Sequence, residues 1–482
     1  MDEGTENEVV NYGATHGNDE AERSEEKNLE EVYEELGLGK AQYYTWTALM
    51  FVSFSDVSEL VILAVLIPYL RCEWNLSLVF EVAIGCSVFF FYAIGGVLFG
   101  SLSDKIGRRK TILIAGFILA VSSFLSAASI NKWMFLFTRI SVGLCIGANF
   151  PTALVFSSEI TCAKYKEYGV FSLLLIGNIS LLVISIEAVL FLNTFGWRVF
   201  IIVANLPILI AIVILAMVPE SPRYLVASGQ EEKAKNALRI YFDWNNKPFP
   251  ENLRIKTFND ERGTLTDVLK PQFRKETILL SIMYAGNIFL IFGLIVYLPF
   301  AVSRDICGGV GSGSIERTCK TLTRRELLDL TFISAAGLFA VTLGLLVAKK
   351  LGRVWPIKAF GIIGFLFTAS LLVCINLNFT KASFFFIKFF ASAFNIIIWI
   401  IIPEIYPTVI RNTATGVINF WGKTAGAIST FLVYFLYSFS PLYVIIGFVI
   451  ASLLSMIGGI LWSKETKDAT YEEVMADCNH AD

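Results

Sequence analysis

The sequence predicts an all-α integral membrane protein whose twelve transmembrane helices form two pseudo-symmetric six-helix halves. Three observations carry that prediction. Of 482 residues, 55% are hydrophobic and 17% charged, against about 45–50% and about 25% in soluble domains. Uncharged runs such as 111–131 leave no room for separate cores with polar surfaces between them. Residue types also recur at an offset of 245 between the two parts of the chain.

A span needs about 20 mostly apolar residues to cross about 30 Å of hydrocarbon. By that measure the first six spans are 45–70, 79–102, 110–130, 133–157, 168–193 and 197–217. The second six are 276–302, 327–348, 356–376, 382–403, 413–438 and 441–462. This divides the chain into an acidic tail (1–44), a first half (45–218), a linker (219–275), a second half (276–462) and a C-terminal tail (463–482). An amphipathic stretch from Glu231 to Phe242 predicts a short surface helix within the linker.

Residues 1–40 hold 13 acidic and 3 basic side chains, a net of −10, so the remainder carries +8 against the overall −2. Such a tail lacks the basic start of a signal peptide and reads as disordered. Basic residues collect in the even-to-odd loops: Lys105, Arg108, Arg109 and Lys110; Lys164 and Lys166; Lys349, Lys350 and Arg353. Because such residues stay inside, both tails and the linker are expected in the cytosol.

Several chemistries find no support. The two histidines, His16 and His480, lie in the tails, the eight cysteines form no CxxC pair, and no Walker A sequence occurs. Metal, thiol-redox and ATP-driven mechanisms are therefore not expected, no cofactor is called for, and nothing points to nucleic acid. Cys307 and Cys319 share the outward loop after span 7, where they stand either as a disulfide or as free thiols. The sequons at Asn75 and Asn378 also fall outside.

After span 2 the chain reads Gly100-Ser-Leu-Ser-Asp104-Lys-Ile-Gly107-Arg108-Arg109-Lys110. This matches G-x-L-x-D-x-x-G-R-[RK] at every defined position and resembles the signature of the major facilitator superfamily. Pro219-Glu-Ser-Pro-Arg-Tyr-Leu225 resembles a motif of its sugar and organic-ion branches, and Arg139-x3-Gly143-x3-Gly147-x3-Pro151 resembles a third. Gly143 and Gly147 are expected to admit a neighbouring helix rather than bind. At the offset of 245, Gly107, Arg108 and Glu159 map onto Gly352, Arg353 and Glu404, while Lys349 stands where the second Asp would be. Asp56-Val-Ser-Glu59, Cys72-Glu-Trp74, Asp305-Ile-Cys-Gly308 and Pro403 to Thr408 are similar to the synaptic vesicle 2-related group. The resemblance implies the major facilitator fold, alternating access, a gating role for the loop motifs and residence in a vesicle or plasma membrane.

Ionisable residues within spans are functional candidates because burying them is expensive. Asp56 and Glu59 lie three apart in span 1, Glu187 in span 5, Arg139 in span 4, Lys388 in span 10 and Lys423 in span 11. Two readings stand: the acids bind a cationic solute or share protons, or they neutralise Arg139, Lys388 and Lys423. Lys388 has the further option of snorkelling to the surface. Asn287, Asn395, Trp399 and Asn419 are candidate neutral lining.

The expectation is thus a secondary or facilitative transporter of a small organic solute, cation or zwitterion favoured, with proton coupling open. A sugar-type facilitator and a non-transporting vesicle component are the alternatives. The lipid bilayer is the constant partner, and Tyr471-Glu-Glu-Val474 matches a pattern read by trafficking adaptors.

Overall fold

Hydropathy alone places the spans, and packing decides where each helix begins and ends. The computed structural model describes residues 26–250, 253–255, 265–303, 321–373, 376–406 and 408–467. Numbered in chain order, the first half contains α1 (Leu29–Leu36), α2 (Lys40–Trp74), α3 (Leu78–Ile106), α4 (Arg108–Ala127), α5 (Lys132–Glu159), α6 (Lys166–Glu187), α7 (Trp197–Ala204) and α8 (Leu206–Met217). The linker holds α9 (Pro222–Ala227), α10 (Glu231–Trp244) and α11 (Leu265–Val268). The second half comprises α12 (Pro271–Ser303), α13 (Arg324–Leu351), α14 (Val354–Ser370), α15 (Leu377–Ile405), α16 (Thr408–Tyr437) and α17 (Pro441–Leu461).

Among the described residues, ten spans are long and apolar enough to cross a bilayer, with α7 and α8 counted as one, Trp197–Met217. The 17-residue α14 and the 30-residue α16 complete twelve. At 1.5 Å per residue α14 reaches about 25 Å, so its expected extension to 376 is replaced by a turn at Leu371–Val373. The break between α7 and α8 falls at Asn205, whose side chain donates to Ile201 O at 2.9 Å.

Polar side chains start several helices by satisfying their free N–H groups. Asn131 accepts from Met134 N at 2.9 Å and Asn376 from Phe379 N at 2.7 Å. Thr323 and Glu326 form a capping box at the start of α13.

Part of the segment expected to be disordered is helical, with α1 at Leu29–Leu36 and α2 beginning at Lys40. Asn28 and Glu31 form a capping box, and Leu29, Val32, Tyr33 and Leu36 bury one face of α1. Glu30 then pairs with Lys166 at 3.2 Å and with Arg223, which tie α1 to α6 and the linker. Burial pushes the Glu30 carboxyl up, but these two cations outweigh it and hold it below the usual range. The first turn of α2 also lies further back than expected, because Asn245 accepts from Ala41 N at 2.9 Å. A local apolar stripe and tertiary contacts override the acidic composition.

The 245-residue repeat becomes physical at the ends of α3 and α13. Arg108 pairs with Glu159 at 3.1 Å, and its counterpart Arg353 with Glu404 at 2.6 Å. Glu220 accepts from Arg109 N at 2.9 Å, and its counterpart Glu465 from Arg353 N at 2.8 Å. Ser221 donates to Glu159 and Thr466 to Glu404. The glycines of both motifs have positive φ, +105° at Gly107 and +80° at Gly352, and a Cβ at either would strike the capping glutamate. The match ends at Asp104, which pairs with Arg108 at 3.1 Å. Lys349 instead lies 5.5 Å over the Tyr168 ring of the opposite half.

Close backbone approach holds α3 against α5. A Cβ on Gly143 would meet Val88 O at 2.6 Å, and one on Gly147 would run into the backbone of Tyr92 and Gly96. Gly147→Val should therefore destabilise the protein by about 3 kcal/mol and sharply reduce recovery of monodisperse material. Gly100→Ala should leave both measures unchanged, since a Cβ there meets nothing within 4 Å. Thermal melting and size-exclusion profiles check the pair.

Candidate substrate site

Four helices from each half converge on a cavity of about 140 Å³. From the first half, α2 supplies Asp56, α3 Tyr92, α5 Phe150 and α6 Asn178; from the second, α12 supplies Tyr284 and Phe292, α13 Val341, α15 Lys388, Ser392, Asn395 and Trp399, and α16 Lys423. Most of the remaining wall is Leu, Ile and Val. A small, mostly apolar chamber with a few convergent polar groups is the usual form of a small-molecule site.

The two acids of span 1 have different surroundings. Glu59 is fully buried and pairs at 2.6 Å with Arg139, itself fully buried. Ser123 donates to the other Glu59 oxygen, Ser126 accepts from Arg139, and the guanidinium lies 5.1 Å from the Phe135 ring centroid. Neither residue lines the cavity. Asp56 does line it; Asn149 donates to its Oδ1 at 3.2 Å, while Oδ2 is buried without a hydrogen-bond partner.

Lys423 stands in an aromatic box. Its ammonium bonds to the Tyr92 hydroxyl and lies 4.2 Å from the Tyr92 ring centroid, 5.7 Å from Phe150 and 5.8 Å from Phe292. Such faces stabilise a desolvated cation by about 2 kcal/mol. Lys388 does not snorkel: it is 4% exposed and faces the cavity. The neutral candidates divide as well. Asn395 and Trp399 line the cavity, whereas Asn287 is buried in α12 away from it, and Asn419 stands behind the wall, accepting from the Tyr284 hydroxyl at 3.2 Å.

Glu187 is outside the described lining. It ends α6, where the chain loosens into a π-helical turn over Ala188–Leu192, and one of its oxygens is buried without a hydrogen-bond partner. Sequence reasoning passed over Tyr92, Asn149, Phe150 and Asn178. Asn178 carried a readable signal, since it is the 245-residue counterpart of Lys423; the others depend on helix rotation.

At the end of the bundle away from the Asp104 motif, the halves are held together. The Tyr69 hydroxyl lies 2.7 Å from Asn193 Oδ1 and 3.0 Å from Leu322 O, and Asn193 Nδ2 donates to Leu322 O at 3.2 Å. Arg71 pairs with Glu81 at 2.5 Å and lies 5.9 Å from the Phe300 ring centroid. Cys72, in the same region, is disulfide-bonded, whereas Cys307 and Cys319 lie outside the described residues. The tail sorting pattern at Tyr471 also falls outside them.

Two six-helix halves enclosing a charged chamber at their interface define a membrane transporter of the major facilitator type. The chain belongs to the sugar (and other) transporter family, whose model matches residues 27–299. The synaptic vesicle 2-related protein of Rattus norvegicus is 26% identical over 453 residues, 92% of this chain and 82% of that one. Its Xenopus laevis namesake is 26% identical over 454 residues, with the same coverages of 92% and 82%. Among solved structures, the partially occluded inward-open form of the xylose transporter XylE from E. coli has a TM-score of 0.67 at 20% identity, covering 89% of this chain and 99% of that one. XylE bound to 6-bromo-6-deoxy-D-glucose has a TM-score of 0.63 at 19% identity, covering 90% and 99%.

Removing one member of a buried ion pair strands the other and costs about 3–5 kcal/mol, whereas removing both is often neutral. Arg139→Met should lower the melting temperature accordingly, and Glu59→Gln added to it should restore most of the loss. Equal losses in the single and double variants would contradict a pairing role for Glu59.

Proposed function

We propose that this protein is a secondary transporter that carries a small organic solute through the central cavity by alternating access. The observation that carries this reading is the cavity itself, built from four helices of each half, with Asp56 on one wall and Lys423 on the other. A rocking motion of the halves about such a site exposes it to each side in turn. Asp56 is the coupling carboxylate in this reading. Its unpartnered oxygen sits at the moving interface, where gain or loss of a proton changes its attraction to Lys423. Glu59 and Arg139 form a fixed pair in the wall beside it.

The basic loops support a cytosolic position for the Asp104 and Arg353 end. The networks around Arg108 and Arg353 then secure that end when the cavity faces outward, and the Tyr69–Asn193–Leu322 contacts secure the opposite end when it faces inward. Kinship with the synaptic vesicle 2-related proteins supports residence in a vesicle-type or plasma membrane. The family match keeps a sugar as the competing cargo class. Three charged groups in a chamber of about 140 Å³ favour a charged solute over it.

The test is uptake by proteoliposomes containing the purified protein, offered pooled organic anions, cations, zwitterions and neutral sugars with and without an inward acid gradient. Gradient-driven accumulation should fall at least tenfold in Asp56→Asn while folded yield stays near normal. Absence of uptake from verified folded protein across all pools would overturn transport and leave a non-transporting vesicle component as the reading.

A further inference from the structure

Counting charge around the cavity separates its three ionisable groups. With every group ionised, Asp56 contributes −1, Lys423 +1 and Lys388 +1, a formal sum of +1. Glu59 and Arg139 cancel outside it, and Glu187 is not in its described wall. The expectation of a cation rested on three acids lining one path, of which one remains.

Lys423 is already accommodated by the Tyr92 hydroxyl, three aromatic rings and the carboxylate of Asp56 across the cavity. Lys388 has none of these. It is 4% exposed, lines the cavity, and makes no hydrogen bond or ion pair among the described residues. Gly337 admits Asn178 beside it: a Cβ there would meet Asn178 Oδ1 at 2.5 Å and lie 3.6 Å from Lys388 Cε, and Asn178 Nδ2 donates to Leu174 O at 3.0 Å. Lys388 and Asn178 are both polar members of a mostly apolar wall. An uncompensated buried ammonium is costly, so a solute that brings the opposite charge gains more here than a neutral or cationic one.

We propose that Lys388 is the anchor for the acidic group of the solute, and that the cargo is a small organic anion. Its carboxylate or sulfonate lies against the Lys388 ammonium, and its apolar body lies among the leucine, isoleucine and aromatic side chains. The chamber suits a body of about one ring, since a cavity of roughly 150 Å³ holds benzene. The inference rests on the cavity being the transport site and names the charge class that it accepts.

The experiment uses the full-length purified protein and four pools built on the same one-ring and short aliphatic skeletons: carboxylates, sulfonates, amines and uncharged amides. Thermal melting with each pool reads binding, and proteoliposome uptake of radiolabelled members reads transport. The carboxylate or sulfonate pool should stabilise the wild type, and apparent affinity should fall at least tenfold in Lys388→Met and by much less in Lys388→Arg. Lys388→Met alone should melt at a higher temperature than the wild type, because it removes an unpaired buried charge; this shows that lost binding is not lost folding. Stabilisation and uptake of the amine or amide pool alone would overturn the anion assignment while leaving the transporter reading intact. Anion binding unaffected by Lys388→Met would overturn the role of Lys388. Binding and uptake of no pool by folded protein would overturn both.

Discussion

A charge inside a helix bundle has to find a counter-charge, an aromatic face or water, because hydrocarbon supplies none. That constraint sorts the ionisable side chains at and beside the cavity. Glu59 and Arg139 pair with each other behind the cavity wall, with Ser123 and Ser126 taking further hydrogen bonds. Lys423 is held by rings and a hydroxyl. Asp56 is half satisfied by Asn149, and Lys388 has no hydrogen-bond or ion-pair partner among the described residues. Of the ionisable groups that line the cavity, Asp56 and Lys388 are left incomplete among the described residues, as expected of a chamber whose contents change.

The division into halves gives that sorting a mechanical meaning. Asp56 belongs to α2 and Lys423 to α16, so their attraction varies with the angle between the halves. At the motif end, each half carries its own arginine–glutamate lock and a glutamate capping the next helix, repeated at 245 residues. These networks keep each half rigid. Contacts that join the halves are of a different kind: single hydrogen bonds such as Tyr69 to Leu322 O and ring contacts such as Lys349 over Tyr168. Rigid bodies with weak seams are suited to rocking. An anion entering with a proton on Asp56 would also cross the membrane without net charge, which links the coupling group to the cargo class.

Much of the fold was legible because hydropathy and positive loops are averages over about twenty residues. The repeat was visible through Arg108 and Arg353, and the structure extended it to Glu220, Ser221, Glu465 and Thr466. The ordered α1 was hidden because its acidic composition outweighed a short apolar stripe. The site was only partly legible, for a geometric reason. Residues three apart share a helix face, yet Asp56 and Glu59 differ enough in direction that one meets the cavity and the other meets Arg139. Tyr92 and Phe150 look like ordinary span residues until α3 and α5 are rotated into place around Lys423.

The most direct test of the central claim places a single reactive thiol in the cavity. Ser392 lines it and is buried, and Ser392→Cys changes one atom. In a background without other reactive thiols, a membrane-impermeant reagent would be applied to one face of oriented vesicles and, separately, to the other. Alternating access predicts modification from both faces, with protection by a bound solute. Modification from one face alone under all conditions would contradict it.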